Sequence, residues 1–110
     1  MTALLVALGA ALGAPLRWVV TRHDGELPVR MLTVNVAGSG LFGLFAALSL
    51  DPSWWALLGT GFCGAFTSFS SFALQAVTRP ARTATTYVVA TTLLSVAACV
   101  LGWAVGGQLA

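Results

Sequence analysis

The stretch GAFTSFSSFALQ, residues 64–75, decides the interpretation of this chain because it alternates aromatic and hydroxyl residues inside an uncharged run. Unpaired polar side chains are costly in a bilayer, so those that persist usually face a bundle interior or an aqueous path. The glycines just upstream, in GTGFCGAFTS (59–68), predict a helix break that frees backbone carbonyls to line a cavity or hold a cation. An ordinary packing ridge is the alternative, although the positive edges of aromatic rings also favour a small anion.

The composition places this stretch in a membrane protein. Hydrophobic residues make up 58% of the 110 residues and charged residues 7%, whereas a soluble domain usually carries about 25% charged residues. A bilayer core of about 30 Å requires roughly 20 apolar residues per helix. The charge-free runs predict a single all-α membrane domain over 1–110, with four transmembrane helices at about 2–21, 30–50, 53–78 and 82–107.

The arginines predict the orientation of these helices. Four crossings place the loops at 22–30 and 79–82 on one side, and the termini with the turn at Asp51–Pro52 on the other. All five arginines then lie on the loop side or at its edge, which the positive-inside rule places in the cytoplasm, with both termini outside. A cleaved signal peptide is the alternative for the first run, but no basic region precedes it and Arg17 follows its apolar part.

Other features argue against an enzyme and against a nucleic-acid-binding protein. His23 is the single histidine, no G-x-S-x-G or H-E-x-x-H motif occurs, and both cysteines lie in apolar runs typical of buried thiols. The G-x-G-x-x-G matches at 38–43 and 59–64 lack an acidic residue about 20 positions on, so close helix packing explains them better than a dinucleotide fold. A net charge of +2 without any lysine provides no basic surface for nucleic acid.

Polar side chains in two other predicted helices have two interpretations each. Asn35 is either an interhelical hydrogen-bonding residue or a donor that faces a pore. Tyr87, Thr91 and Ser95 follow at intervals of four, which places their hydroxyls on one helix face. Such a file contributes either to helix–helix contact or to a conduction path.

Three blocks along the chain, GAALGAPLRW (9–18), LTVNVAGSGLFG (32–43) and GFCGAFTSFSSF (61–72), resemble the signature blocks of the Fluc/CrcB fluoride channels. Their order and spacing agree over nearly the whole chain, although Trp18 and Gly40 depart from the usual pattern. The resemblance implies a passive fluoride exporter, built as an antiparallel dimer of four-helix subunits with two pores and a break in each third helix.

The resemblance also implies roles for single residues. A structural sodium ion, which is not transported, is held by the backbone carbonyls of Gly64 and Thr67 at the break. The arginine near the end of the first helix corresponds to Arg17, which we expect to raise the local anion concentration at the entrance. The residues that correspond to the fluoride pore are Asn35, Phe69, Phe72, Tyr87, Thr91 and Ser95.

The arginine distribution indicates which kind of partner completes the dimer. A dual-topology homodimer inserts both ways and should show almost no charge bias, whereas here all five arginines fall on one side. We therefore expect a heterodimer with an oppositely oriented homologue rather than a dual-topology homodimer.

Two other functions fit four apolar helices. A small multidrug exporter exchanges protons through a membrane-embedded carboxylate in its first helix, but residues 1–21 contain no Asp or Glu. A structural membrane subunit without transport explains the glycines, but not Asn35 together with the phenylalanine–hydroxyl run.

Overall fold

The computed structural model describes residues 2–23 and 28–109, and every element in those ranges is helical. Four helical segments are long and apolar enough to cross a membrane, so the predicted all-α membrane fold with four transmembrane helices is confirmed at that level. The long dimension of 44 Å matches a bilayer with its headgroups, about 40–45 Å thick. The elements are α1 (Thr2–Thr21), α2 (Val29–Ala47), α3 (Pro52–Trp54), the π-helix π1 (Trp55–Cys63), α4 (Gly64–Phe66), α5 (Phe69–Val77) and α6 (Ala81–Leu109).

The turn between the second and third membrane segments begins earlier than the sequence predicts. Helix α2 ends at Ala47 rather than at residue 50, because Ser49 adopts a positive φ of 52°, which no helix residue can hold. The next helix begins at Pro52, whose fixed φ suits a first helical position. At the other end of the chain α6 continues to Leu109, two residues beyond the predicted limit. Within the predicted 22–30 loop, Asp24 and Glu26 lie outside the described residues.

Glycines bring the helix backbones into contact in two pairs of elements. Helix α1 packs on π1 and α4, and a Cβ added at Gly13 would lie 2.5 Å from the Phe62 carbonyl oxygen. Helix α2 packs along α6, where a Cβ at Gly43 would collide with the carbonyl of Cys99. Without a hydrophobic drive in lipid, such close approach supplies the van der Waals contact that holds membrane helices together.

The third membrane segment, Pro52–Val77, is irregular at its centre. It is π-helical up to Cys63, and Thr67 (φ −85°, ψ 162°) and Ser68 (φ −152°, ψ 114°) are extended between α4 and α5. The Ser68 hydroxyl accepts a hydrogen bond from the Ser71 N–H at 3.1 Å and so caps the start of α5. We call Thr67–Ser68 the extended pair. It receives side chains from the first two membrane segments and lines a cavity together with residues of α6.

Candidate functional site

An open groove runs along the face formed by α2, the third membrane segment and α6. It has two adjoining parts, of about 520 and 350 Å³, which share Thr67 and Ser95 in their walls. Seven of the site residues predicted from the sequence line the groove: Asn35, Gly64, Thr67, Phe69, Phe72, Thr91 and Ser95. The fold therefore brings together, from three segments, residues that the sequence separates by up to 60 positions.

Asn35 makes two hydrogen bonds to the backbone of the extended pair. Its side chain is buried, its Oδ1 accepts from the Ser68 N–H at 2.9 Å, and its Nδ2 donates to the Ser68 carbonyl at 3.4 Å. Asn35 therefore makes a hydrogen bond between two membrane segments and also lines the groove, and its role as a donor that faces a pore stays a prediction. Because an amide nitrogen carries two hydrogens, one Nδ2 hydrogen remains for another acceptor.

The hydrogen bonds of Asn35 to Ser68 deprive the Gly64 carbonyl of its helical donor. In a continuous α-helix the N–H of residue 68 would bind the carbonyl of residue 64, but here that N–H donates to Asn35. Gly64 is exposed, and a Cβ added there would meet nothing within 4 Å. The carbonyl of Thr67, in the extended pair, accepts from Arg17 Nη1 at 3.3 Å. A carbonyl without its helical donor beside an open surface is a ligand suited to a small hard cation.

The aromatic residues form a row from the surface to the core. Phe69 is 80% exposed, its ring centroid lies 5.9 Å from that of Phe72, and the Phe72 ring lies 5.3 Å from that of the fully buried Tyr87. Phe66 belongs to a separate stack, with its ring 5.5 Å from that of Phe62. Of the three phenylalanines spaced by three residues, Phe66 therefore packs against another ring, whereas Phe69 and Phe72 line the groove.

Two hydroxyls of α6 lack hydrogen-bonding partners where they face the groove. Thr91 Oγ1 and Ser95 Oγ are buried, and within residues 2–23 and 28–109 neither has a partner. The assignment of Tyr87, Thr91 and Ser95 to a conduction path stays a prediction. An unpaired buried hydroxyl is costly unless water or a ligand meets it.

Three arginines make specific contacts, and one of them, Arg17, reaches a residue of the groove. Half-buried Arg17 reaches the Thr67 carbonyl, a contact that the predicted role at the entrance did not anticipate. Arg22, one turn further, lies with its guanidinium carbon 5.1 Å from the Trp18 ring centroid. At the far end of α5, Arg79 Nη2 donates to Gln75 Oε1 at 2.5 Å.

Among the residues of the groove that sequence reasoning did not select are two serines, Ser39 and Ser68. Ser39 lines both of its parts, and it lies one helical turn after Asn35, an interval that would have placed it on the same face. Ser68 acts through its backbone, which no side-chain pattern reports, although serine is a preferred residue at the start of a helix.

Comparisons with known proteins agree over nearly the full length. The family described as CrcB-like protein, Camphor Resistance (CrcB), matches residues 4–106. Fluoride-specific ion channel FluC 2 of Rhodococcus jostii (strain RHA1) is 44% identical over 110 residues, which cover 94% of this chain and 96% of that protein. FluC 1 of Nocardia farcinica (strain IFM 10152) is 39% identical over 101 residues, with 87% and 71% covered. FluC 2 of Bacillus thuringiensis subsp. konkukian (strain 97-27) is 36% identical over 114 residues, with 96% and 97% covered.

Proposed function

Because the chain belongs to the CrcB family, we infer that it is a fluoride-specific ion channel, a multi-pass membrane protein and not an enzyme. The observation that carries this inference is the similarity to a fluoride-specific channel over 94% of this chain and 96% of that protein. The channel lets fluoride leave the cytoplasm passively and so lowers its concentration inside the cell.

Fluoride passes along the groove between α2, α5 and α6. As it leaves water, it meets the second Nδ2 hydrogen of Asn35 and the hydroxyls of Thr91 and Ser95, which are buried without partners in the described chain. The positive ring edges of Phe69 and Phe72 favour the anion where the groove is aromatic. Larger halides fit closely spaced donors less well, and this mismatch provides the selectivity.

The carbonyls of Gly64 and Thr67 would hold a structural sodium ion that is not transported. Two features support the assignment of Gly64: the Ser68 N–H is diverted to Asn35, and the space beside Gly64 is open. The Thr67 carbonyl, which accepts one hydrogen bond from Arg17, keeps a second lone pair for the ion. When bound, sodium supplies a fixed positive charge at the break in the third helix, which the extended pair forms. Exchange of sodium for N-methylglucamine should lower the thermal stability of the dimer, and equal stability in both solutions would contradict the assignment.

An antiparallel dimer covers the groove. Phe69 is 80% exposed and Gly64 is open, so an isolated subunit would present the polar atoms of the groove to lipid. The arginine bias favours a heterodimer with an oppositely oriented homologue, with the arginine-rich loops in the cytoplasm and both termini outside. Robust fluoride efflux from a homodimer of this chain expressed alone would rule out the heterodimer.

The decisive experiment is efflux from liposomes that contain the purified channel, together with its partner if it needs one. Fluoride should leave the liposomes and chloride should be retained. Equal release of the two anions, or retention of fluoride, would overturn the proposed function.

A further inference from the structure

A single peptide group of the extended pair is held at both ends by side chains from two different helices. Arg17 of α1 donates from Nη1 to the Thr67 carbonyl oxygen at 3.3 Å. Asn35 of α2 accepts from the Ser68 N–H at 2.9 Å. The Thr67 carbonyl and the Ser68 N–H are the two ends of one peptide unit, which is planar. Contacts at both ends therefore fix the orientation of that plane.

The orientation of this peptide plane affects the chain both before and after it. Upstream, it directs the Thr67 carbonyl, which lies next to the turn that contains Gly64. Downstream, it sets where α5 begins, because Ser68 is the residue before Phe69 and its hydroxyl caps the helix. A rotation of the peptide plane would move both a proposed cation ligand and the first aromatic residue of the groove.

We propose that Arg17 is a positioning residue of the channel, which acts with Asn35 to lock the Thr67–Ser68 peptide plane. Its role is geometric: the planar guanidinium on a half-buried stem directs an N–H at one carbonyl across 50 residues of sequence. Lysine keeps the charge but lacks the planar fork, so it does not replace arginine here. The two contacts also reinforce each other, because a donor on the carbonyl polarises the peptide and makes its N–H a better donor to Asn35.

This proposal deepens the proposed function, on which its transport readout rests. The test compares Arg17→Lys and Arg17→Gln with the matched variants Arg22→Lys and Arg22→Gln. Arg22 lies at the same end of α1, carries the same charge and contacts the Trp18 ring instead of the third segment. Two quantities are measured: the exchange rate of the Ser68 amide hydrogen by NMR in detergent, and the ratio of fluoride to chloride efflux from liposomes.

We expect Arg17→Lys and Arg17→Gln each to speed Ser68 amide exchange by about ten-fold or more, the range for loss of a hydrogen bond to a charged group. The ratio of fluoride to chloride efflux should fall in both, and both Arg22 variants should match the wild type. Wild-type exchange and selectivity in Arg17→Lys would overturn the proposal, since charge alone would then suffice.

A measurement on the unmodified protein keeps the proposal testable if the Arg17 variants do not fold. In the wild-type protein, the Ser68 amide must be as strongly protected from exchange as the amides inside α6. Rapid exchange of the Ser68 amide would overturn the proposal. The amide readout is also independent of transport. Liposomes that retain fluoride would refute the proposed function, while the Ser68 exchange rates would still decide the role of Arg17.

Discussion

Replacement of Asn35 by alanine removes both hydrogen bonds to Ser68, at 2.9 and 3.4 Å. A hydrogen bond between membrane helices contributes about 0.6 kcal/mol on average and at most about 1.7 kcal/mol, so two such bonds give an expected loss of about 1–3 kcal/mol in the free energy of unfolding. The cost stays moderate because the freed Ser68 N–H has an alternative acceptor close by. It can bind the Gly64 carbonyl and close the next helical turn.

Because this new hydrogen bond offsets part of the lost stability, we expect Asn35→Ala to reduce transport more than stability. A closed turn would occupy the Gly64 carbonyl and straighten the extended pair, and the substitution itself removes the amide donor from the groove. The loss of a hydrogen bond to a charged group, here the anion, costs about 1.5–3 kcal/mol, which corresponds to roughly ten- to hundred-fold in fluoride flux. Asn35→Ala should therefore remain folded and dimeric while its flux falls by that factor.

Two assays measure this prediction. Unfolding in increasing SDS mole fraction, followed by tryptophan fluorescence, gives the stability, and liposome efflux gives the flux. Thr33→Ala is the matched control on the same helix, since the Thr33 hydroxyl is exposed and, within residues 2–23 and 28–109, donates only to the Val29 carbonyl of its own helix. It should change the stability by less than about 0.5 kcal/mol. If Asn35→Ala behaves like Thr33→Ala in both assays, the hydrogen bonds between Asn35 and Ser68 play no part in the channel.

Three further sets of substitutions test separate parts of the structure. Phe69→Ile or Phe72→Ile should preserve folding and reduce fluoride flux, because isoleucine fills space but has no positive ring edge; unchanged flux would reduce the aromatic row to packing. Thr91→Val removes a buried hydroxyl without a partner in the described chain, so SDS unfolding should show equal or higher stability while liposome flux falls; lower stability would mean that the hydroxyl is paired. Gly13→Ala should lower stability by about 1–3 kcal/mol, since the added Cβ meets backbone at 2.5 Å, whereas Gly107→Ala, with nothing within 4 Å, should be neutral or slightly stabilising.

The sequence predicts the parts of this fold that depend on composition and period. Four apolar spans follow from the spacing of the charges, and Thr91 and Ser95 meet in the groove because four-residue intervals keep them on one face. The contact between Arg17 and Thr67 could not be predicted in this way, because it joins atoms 50 residues apart and its acceptor is a backbone carbonyl. The early end of α2 was missed for a local reason, since serine at position 49 gives no sign of a positive φ.

One diverted hydrogen bond links the two halves of the proposed mechanism. When Asn35 Oδ1 takes the Ser68 N–H, the Gly64 carbonyl loses its helical donor and becomes available to a cation. The same side chain keeps one Nδ2 hydrogen at the groove, which is the proposed path of the anion. The cation site and the anion path therefore depend on a single amide, and a change that repairs the helix at Ser68 must weaken both. For this reason we expect loss of sodium-dependent stability and loss of fluoride flux to appear together in Asn35 variants, and to separate in variants of Thr91, which contributes to the path alone.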